Sequence, residues 1–408
     1  MAKTLIVAGG GAAGFFCAVN AARMASALQV IILEKSSKVL SKVRVSGGGR
    51  CNVTHDCESI SEMSKCYPRG RSFVKKLFGN FSATDTVKWF EERGVQLKVE
   101  ADGRMFPVSD TSKSVIACLM NEANKYGIKI LLNAGITSLA KQDDRWHISL
   151  QDGRVLNGDF LFLATGGFPT AKQYDWLQPL GLQIILPKPS LFTFNSPSNP
   201  ITKLMGISTI AAVKIPEAKL IESGPVLITH WGLSGPCVLK LSAFGAEWMH
   251  EKNYRFRAMI NWLPETDETK LQQQMPSIRN AHSAQKIKNS NPFKLPQRLW
   301  EHLLEISGIN PEHNWSVLPA KNQNLLVKNL CSFEMMVEGK TTFKEEFVTA
   351  GGVSTEEINA QTAECRKHSN LFFGGELLNV DGITGGYNFQ HAWSSGFVAA
   401  RAIAERCR

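Results

Sequence analysis

A glycine-rich turn near the start of the chain places the tightest constraint on the fold. Residues 4–8, TLIVA, are apolar and β-branched like a buried parallel strand, and they lead into GGGAAG at residues 9–14. An apolar helical stretch follows over residues 15–25, and a second apolar strand at residues 29–33 ends in Glu34. A strand, a G-x-G-x-x-G turn, a helix and a downstream acid at this spacing indicate a dinucleotide-binding fold.

Each part of this pattern has a physical role. Gly9 allows the tight turn, Gly11 lets the backbone approach a pyrophosphate, and Gly14 lets helix and strand pack closely. The free N–H groups at the helix start favour phosphate. The acid accepts hydrogen bonds from ribose hydroxyls and disfavours a 2′-phosphate, so NADP is not expected at this turn. The expected ligands here are Gly9, Gly11, Ala12, Ala13, Gly14, Glu34 and Lys35.

Two later segments favour FAD as the dinucleotide. SGGGRCN at residues 46–52 is a second glycine-rich loop, which suits a long cofactor. Residues 371–390 predict a strand, a glycine turn, an acid and a glycine pair before an amphipathic helix over residues 392–406. FAD domains of the glutathione-reductase type close in this way, with the last helix pointing its N-terminus at the flavin. With the ATGG of residues 164–167, the expected FAD ligands are Gly48, Arg50, Cys51, Asn52, Thr165, Gly166, Gly375, Glu376, Asp381, Gly385, Gly386, Tyr387 and Asn388.

Composition narrows the function classes. A length of 408 residues predicts two or three domains, and 43% hydrophobic with 20% charged residues is typical of a globular protein. Without an apolar run of roughly 18 residues, no membrane association is expected, and the expected location is the cytoplasm. The nine cysteines form no CxxC pair, so no metal site is expected. Hydrolase and NTPase motifs are absent from the sequence.

The net charge of +10 is concentrated early in the chain. Residues 35–76 contain ten basic residues against three acidic ones. This segment either forms a solvent-exposed surface that also contributes basic residues to bind an anionic cofactor, or it forms a binding surface for nucleic acid. Three aromatic residues within it or shortly after it either stack on bases or form the buried stripe of a helix. The basic residues available for phosphate contacts are Lys38, Lys42, Arg44, Arg69, Arg71, Lys75 and Lys76, and the aromatic residues are Phe73, Phe78 and Phe81.

Seven segments together resemble the BaiN/YhiN-like flavoproteins, and the resemblance extends from residue 5 to residue 397. Besides the motifs above, they include FPVSD (106–110), HWGLSGP (230–236), FVTAGGVS (347–354) and GGELLNVDGITGGYNFQ (374–390). The resemblance implies a flavin that passes hydride through its N5 atom. It implies reduction of a uridine in large-subunit ribosomal RNA to dihydrouridine, or reduction of unsaturated steroid acids, or oxidation of amino ketones.

The resemblance also implies a fold of class α/β, in which both chain ends build one domain. This is a Rossmann-like FAD-binding domain with a parallel sheet, interrupted by an inserted β-rich domain that carries a small helical subdomain. Four prolines between residues 187 and 200 are consistent with a crossover between the two. The predicted boundaries are 1–190 and 345–408 for the FAD domain and 191–344 for the insert, which is β-rich over 191–263 and 331–344 and helical over 264–330.

Uridine reduction needs a proton donor beside the flavin, since hydride adds to C6 and a proton to C5. Cys51 and Tyr387 are the candidates, and each has a purely structural alternative of packing against the cofactor. Arg50 is expected to favour a Cys51 thiolate or to bind phosphate. The expected substrate contacts are Arg44, Arg69, Arg71, Lys75 and His230, the last in the inserted domain with an equally open structural role.

Three functional hypotheses remain open from the sequence. The first is a reductase that acts on uridine in ribosomal RNA, the second a small-molecule ene-reductase or amine oxidase, and the third a flavin-binding assembly protein without turnover. Because only one G-x-G-x-x-G occurs, NAD(P)H is expected to dock transiently at the flavin and to have no domain of its own.

Overall fold

The computed structural model describes residues 2–341 and 348–407, and the described chain divides into two compact units. The first unit combines residues 2–190 with residues 348–407, and the second consists of residues 191–341. The predicted boundary between residues 344 and 345 and the first residue of the FVTAGGVS motif lie outside the described residues.

The strands of the described residues form five sheets. In chain order they are β1 (Thr4–Ala8), β2 (Gln29–Leu33), β3 (Thr54–His55), β4 (Leu97–Val99), β5 (Arg104–Pro107), β6 (Lys129–Leu131), β7 (Ile136–Gln142), β8 (Arg145–Leu150), β9 (Val155–Gly158), β10 (Phe160–Leu163), β11 (Ile184–Ser190), β12 (Thr193–Asn195), β13 (Ser208–Ile215), β14 (Leu220–Thr229), β15 (Gly232–Ser234), β16 (Phe256–Asn261), β17 (Phe333–Val337), β18 (Gly339–Thr341), β19 (Val348–Val353), β20 (Ile358–Asn359), β21 (Glu364–Cys365) and β22 (Leu371–Phe373).

Helices lie between these strands. In chain order the α-helices are α1 (Ala12–Met24), α2 (Ser41–Val45), α3 (Ile60–Lys65), α4 (Arg71–Phe78), α5 (Ala83–Glu91), α6 (Ser112–Lys125), α7 (Pro236–Phe244), α8 (Ala246–Glu251), α9 (Glu268–Ala281), α10 (Gln297–Ile306), α11 (Ala320–Cys331) and α12 (Tyr387–Glu405). Short 3-10 helices span Ser46–Gly49, Ala171–Leu180, Pro200–Leu204, Pro216–Ala218, Trp315–Val317, Thr355–Glu357 and Gly375–Leu377.

The first unit is built on a sheet with the strand order β20-β21-β22-β10-β1-β2-β6. Strands β22, β10, β1, β2 and β6 run parallel, with β1 between β2 and β10. Four of the five residues of β1 are buried, as the unbroken apolar run predicts for a strand covered on both faces. Since the strands are parallel, their carboxyl ends lie along one edge. Ligands of open α/β sheets bind at this edge.

Two helices from opposite ends of the chain pack against each other beside this sheet. A Cβ atom at Gly396 of α12 would lie 2.6 Å from the carbonyl oxygen of Ala13 in α1, so only glycine allows this approach. The rings of Phe16 and Trp393 lie 5.2 Å apart across the same contact. Helix α12 begins at Tyr387, five residues before the predicted start. Because glycine at the left-handed N-cap position directly precedes it, the helix can begin inside the predicted turn.

The second unit is an antiparallel sheet with the strand order β17-β16-β13-β14-β15-β12-β18 and with helices packed against a shared core. Trp300 and Trp315 stack within this core at 6.1 Å. Helices α7 and α8 lie in the stretch that the sequence predicts to be β-rich, which also contains strands β12 to β16. Pro236 at the first position of α7 starts the helix, because its fixed φ suits that position. The predicted α/β class with a parallel sheet and an additional β-rich part is confirmed.

Candidate functional site

The first glycine turn joins β1 to α1 at the carboxyl edge of the parallel sheet. Gly9 has a φ of 112°, and a Cβ there would lie 2.2 Å from the carbonyl oxygen of Ala164. A Cβ at Gly14 would lie 1.9 Å from the carbonyl oxygen of Gly9. Gly11 differs, because no atom lies within 4 Å of the position its Cβ would take. The turn therefore leaves open space directly before the N-terminus of α1.

Glu34 directly follows β2, and its carboxylate supports this turn through hydrogen bonds. Its Oε2 atom accepts the N–H of Gly10 at 3.0 Å, and its Oε1 atom accepts the N–H of Ser36 at 2.8 Å. Lys35 is exposed, with its ammonium 5.3 Å from the ring centre of Phe168. The carboxylate thus lies beside the turn, where it would accept hydrogen bonds from the hydroxyls of a ribose next to a bound pyrophosphate.

The second glycine loop, residues 46–49, turns next to Phe106 of the FPVSD segment. A Cβ at Gly47 would lie 2.8 Å from the Phe106 ring, whereas Gly48 faces open space. Arg50 stacks on the same ring, with its guanidinium carbon 3.9 Å from the ring centre. Its Nη1 atom lies 2.6 Å from Glu100, a residue that the sequence analysis missed. Phe106 of the FPVSD segment therefore packs against the second glycine loop and supports it.

Cys51 is fully buried at the end of this loop, with a φ of 65°. Its N–H donates to the Ser46 carbonyl at 3.0 Å. Burial raises the pKa of the Cys51 thiol to about 12, only partly offset by a hydrogen bond with Ser46. The expectation that Arg50 favours a thiolate is wrong, because that guanidinium is committed to Glu100 and the thiol is desolvated. Cys51 is a neutral thiol at pH 7.

The loop before α12 meets the second glycine loop. With the Asn52 amide oriented to satisfy its neighbours, its oxygen accepts the N–H of Gly386 at 3.0 Å and its nitrogen donates to the Thr54 carbonyl at 2.8 Å. Gly386 has a φ of 92° and caps α12. Asn388 exchanges two hydrogen bonds with the backbone of Gly382, so its side chain holds the loop closed. Residues from the two chain ends are thereby brought together.

Tyr387 is the first residue of α12, and its ring stacks on that of His55 at 4.7 Å. The ring nitrogen Nδ1 of His55 lies 3.1 Å from the carbonyl oxygen of Gly385. Tyr67 donates its hydroxyl to the Tyr387 carbonyl at 2.6 Å. Burial is the main cause that raises the pKa of the Tyr387 phenol, which therefore keeps its proton at neutral pH. His55 was not among the residues predicted from the sequence. Its position three residues after Asn52, the last residue of the SGGGRCN loop, could have indicated that it lies near the site.

Two expected site residues pair with each other instead of serving the roles assigned to them. Asp381 is fully buried, and its carboxylate forms a bidentate ion pair with Arg69 and accepts the Ser190 hydroxyl at 2.8 Å. The Arg69 side chain is only 11% exposed. Neither charged group is available in this structure, so the expectations of a cofactor contact by the Asp381 carboxylate and an RNA contact by Arg69 are wrong.

Thr165 and Gly166 follow β10 at the same edge. The Thr165 hydroxyl oxygen is buried without a hydrogen-bond partner among the described residues, and no atom lies within 4 Å of the position of a Gly166 Cβ. Glu376 accepts the N–H of Thr349 at 3.0 Å and pairs with Lys42, which the sequence analysis had assigned to the basic surface. An unpartnered hydroxyl beside open glycine backbone fits a polar, elongated ligand.

These features fit FAD. Open backbone at Gly11 and Gly166 lies at the carboxyl edge of the parallel sheet, with a helix N-terminus for the pyrophosphate and Glu34 for a ribose. The second glycine loop also has open space, at Gly48. The residues expected to bind FAD at this edge lie near one another. Asp381 is not one of them, because its carboxylate is engaged in the ion pair with Arg69. No group of three or more potential metal ligands occurs in the described residues, and no helix among them is long and apolar enough to span a membrane.

The remaining predicted substrate residues fall into two groups. Arg44, Arg71 and Lys75 are exposed on the first unit. His230 is exposed on the second unit, with its ring edge-on to Trp231 at 4.2 Å. The base-stacking alternative for the segment's aromatic residues is wrong, because all three are at least 94% buried in the core. They are Phe73, Phe78 and Phe81.

Comparison with known proteins agrees with this geometry. The HI0933-like protein Rossmann domain family matches residues 3–402. A ribosomal RNA dihydrouridine synthase of Escherichia coli K12 is 31% identical, with 98% of this chain and 97% of that protein covered. A 3-dehydro-bile acid delta(4,6)-reductase of Clostridium scindens is 28% identical, with 98% of each chain covered. The resemblance to the BaiN/YhiN-like flavoproteins is therefore confirmed.

A solved structure shares the architecture at low sequence identity. The 3-ketosteroid-delta4-(5alpha)-dehydrogenase of Rhodococcus jostii superposes with a TM-score of 0.51 at 12% identity, with 98% of this chain and 97% of that chain covered. At this identity the likeness shows the fold alone, while the matched family and the open nucleotide edge account for the cofactor. The chain belongs to the HI0933-like family and is an FAD-dependent oxidoreductase.

Proposed function

We propose that this protein reduces a uridine of large-subunit ribosomal RNA to dihydrouridine, with NAD(P)H as the electron donor and in the cytoplasm. The observation that carries the proposal is the end-to-end match to a relative named ribosomal RNA dihydrouridine synthase. The basic surface next to the FAD edge supports it, because a ribosomal RNA substrate needs phosphate contacts from Lys and Arg.

Helix α4 carries the most exposed part of this basic surface. Its buried face consists of Phe73, Val74, Leu77 and Phe78, and Arg71, Lys75 and Lys76 on the other side are exposed. Among the ion pairs of the described residues, none involves these three cations. We call Arg71, Lys75 and Lys76 the α4 basic face. Charges left without protein partners are free to bind phosphate.

The α4 basic face is held close to the loop that precedes α12. Gly70 caps α4, and a Cβ there would lie 2.5 Å from the Val380 side chain. Arg69 forms its ion pair with Asp381 one residue further along the same loop. This loop leads directly to Gly386 and Tyr387. An RNA backbone on α4 would therefore place its bases near the N-terminus of α12.

Bound reduced FAD would supply hydride to C6 of the uracil ring. The protein must then provide a proton for C5 and hold the base in a pocket protected from water. Cys51 and Tyr387 both retain their protons at neutral pH, because burial raises the pKa of each. The N-terminus of α12 would stabilise negative charge on a reduced flavin bound beside it, through its free backbone N–H groups.

Neutralising the α4 basic face should weaken RNA binding without loss of FAD. For the triple variant Arg71→Gln, Lys75→Gln and Lys76→Gln, we expect the slope of log affinity against log salt to fall in magnitude by about 2, since each single-strand phosphate contact contributes about 0.7. Turnover of ribosomal RNA should fall at least about tenfold at physiological salt. Filter binding and flavin reoxidation by unmodified ribosomal RNA measure both, with the flavin absorbance as a control.

A matched control replaces three lysines elsewhere on the first unit by glutamine. Lys88, Lys125 and Lys141 each pair with an acidic neighbour, so their loss should leave the salt slope unchanged. If the α4 variant binds and reduces RNA as well as the wild type, the α4 basic face is not the RNA contact.

The bile acid reductase relative favours a second candidate, reduction of a conjugated double bond in a small molecule. The same flavin chemistry serves both, so only the substrate distinguishes them. Reoxidation of the reduced flavin by a steroid enone but not by unmodified ribosomal RNA would support this second candidate.

A further inference from the structure

A long irregular segment of the second unit is rich in positive charge. Residues 269–300 contain six lysines and arginines and no aspartate or glutamate. Within this stretch, residues 282–296, all of which the structure describes, join α9 to α10 without a helix or strand. Connections longer than about 12 residues without secondary structure are uncommon in compact domains, and they are usually either functional loops or disordered linkers.

Buried tryptophans fix the backbone of this segment. The indole N–H of Trp300 donates to the carbonyl of Ile287 at 3.1 Å, and that of Trp315 donates to the carbonyl of Ser290 at 3.2 Å. Both tryptophans are 0% exposed. The Asn291 amide donates to the backbone carbonyl four residues further on, at 2.7 Å. The segment is therefore an anchored loop with a defined backbone path, and not a linker.

Four basic residues lie on this loop or directly beside it. The Arg298 guanidinium donates to the carbonyl of Lys203 at 2.8 Å, and the Gln297 amide donates to the carbonyl of Lys288 at 3.3 Å. Lys294 lies on the loop between these two contacts in the sequence. Three of the four basic residues are exposed, and Lys288 is partly exposed. We call Lys203, Lys288, Lys294 and Arg298 the insert basic patch.

Acidic side chains do not neutralise this patch. Among the ion pairs of the described residues, none involves its four cations, whereas Lys286 on the same loop pairs with Glu312 at 2.7 Å. Glu301 accepts the Gln297 amide at 2.9 Å. Neighbouring cations without counter-charges repel one another and create a positive potential that attracts a polyanion.

We propose that the insert basic patch is a second RNA-contact surface, which binds the phosphate backbone of the ribosomal RNA substrate. The inference rests on the proposed function and adds a contact on the inserted domain to that of the α4 basic face. Phe293, the one aromatic residue in residues 286–298, packs against Trp300 with the ring centres 5.8 Å apart. Cations are thus the main groups that the patch offers, so it adds affinity without sequence selectivity.

Neutralising the patch tests this surface in the full-length, FAD-loaded protein. The triple variant Lys203→Gln, Lys288→Gln and Lys294→Gln removes three cations and leaves Arg298 with its backbone hydrogen bond. The slope of log affinity against log salt should fall in magnitude by about 2, since each single-strand phosphate contact contributes about 0.7. Affinity at physiological salt should fall about tenfold, both for a large-subunit ribosomal RNA fragment and for an unrelated RNA of equal length, because every sequence has phosphates. Filter binding over a range of salt concentrations measures both quantities.

Three other basic residues of the second unit provide a matched control, because each pairs with a glutamate. They are Lys240, Arg257 and Lys328. Their replacement by glutamine removes the same net charge and should leave the salt slope unchanged. Flavin absorbance and the melting temperature should be the same in both triple variants as in the wild type, because none of the substituted side chains belongs to the buried core.

The outcomes separate this inference from the proposed function. A smaller salt slope in the patch variant than in the control variant supports the inference. If the wild type binds ribosomal RNA and the patch variant has the same slope, the inference is overturned while the proposed function stands. Absence of RNA binding by the wild type overturns both. Binding of phosphatidylglycerol vesicles that the patch variant loses, with RNA binding unchanged, assigns the patch to an anionic lipid surface and also overturns the inference.

Discussion

Gly11→Val is expected to lower FAD affinity at least about 100-fold while the polypeptide still folds. Gly11 has a φ of −93°, which any residue adopts, and no atom lies within 4 Å of its Cβ position. A valine side chain therefore meets no protein atom but fills the approach to the N-terminus of α1. Loss of two charge-assisted hydrogen bonds of about 1.5 kcal/mol each accounts for this factor.

Flavin absorbance of the purified protein and titration of the apoprotein with FAD measure this effect. Gly79→Val is the matched control, because Gly79 is exposed after α4 with a φ of −63° and only ordinary contacts at its Cβ position. It should retain FAD. Wild-type FAD affinity in Gly11→Val would mean that the pyrophosphate does not approach this turn.

Arg69→Ala is expected to destabilise the first unit by about 3–5 kcal/mol, because it leaves the Asp381 carboxylate buried and unpaired. The substitution removes the side-chain attachment of the loop before α12 and leaves the backbone bridge between these two residues in place. Combining it with Asp381→Asn should recover part of the loss, because the buried charge is then absent and the amide can still bond Ser190. Urea unfolding followed by flavin release and by circular dichroism measures the change.

Lys65→Ala is the control for charge removal alone. Lys65 pairs with Glu62, and both side chains are more than half exposed, so the expected change is below about 1 kcal/mol. A loss below about 1 kcal/mol in Arg69→Ala would show that Asp381 acquires solvent or another partner, and the loop would then not depend on this pair.

The dinucleotide edge could be predicted from the sequence because its signals are local. The strand at residues 4–8, the strand at residues 29–33 and the turn between β1 and α1 follow the residue types at those positions, and their bounds agree with the prediction. FAD as the cofactor followed from motifs at both chain ends. The start of α7 could also have been predicted, because proline is common at the first position of a helix and Pro236 occupies that position.

The corrected residues depend on contacts that no local pattern contains. Arg69 and Asp381 lie 312 residues apart in the sequence, and the charge of either one does not indicate its partner. The burial that raises the pKa of Cys51 arises from packing, and so does the engagement of Arg50 by Glu100 across 50 residues.

The most direct test of the account is the dihydrouridine content of large-subunit ribosomal RNA from cells that lack this gene. Mass spectrometry should show that one dihydrouridine is missing, that the wild-type gene restores it, and that Gly11→Val does not. Unchanged dihydrouridine in the deletion strain would contradict the RNA reductase account. The α4 basic face would then be a solvated surface of an FAD-dependent oxidoreductase that acts on small molecules.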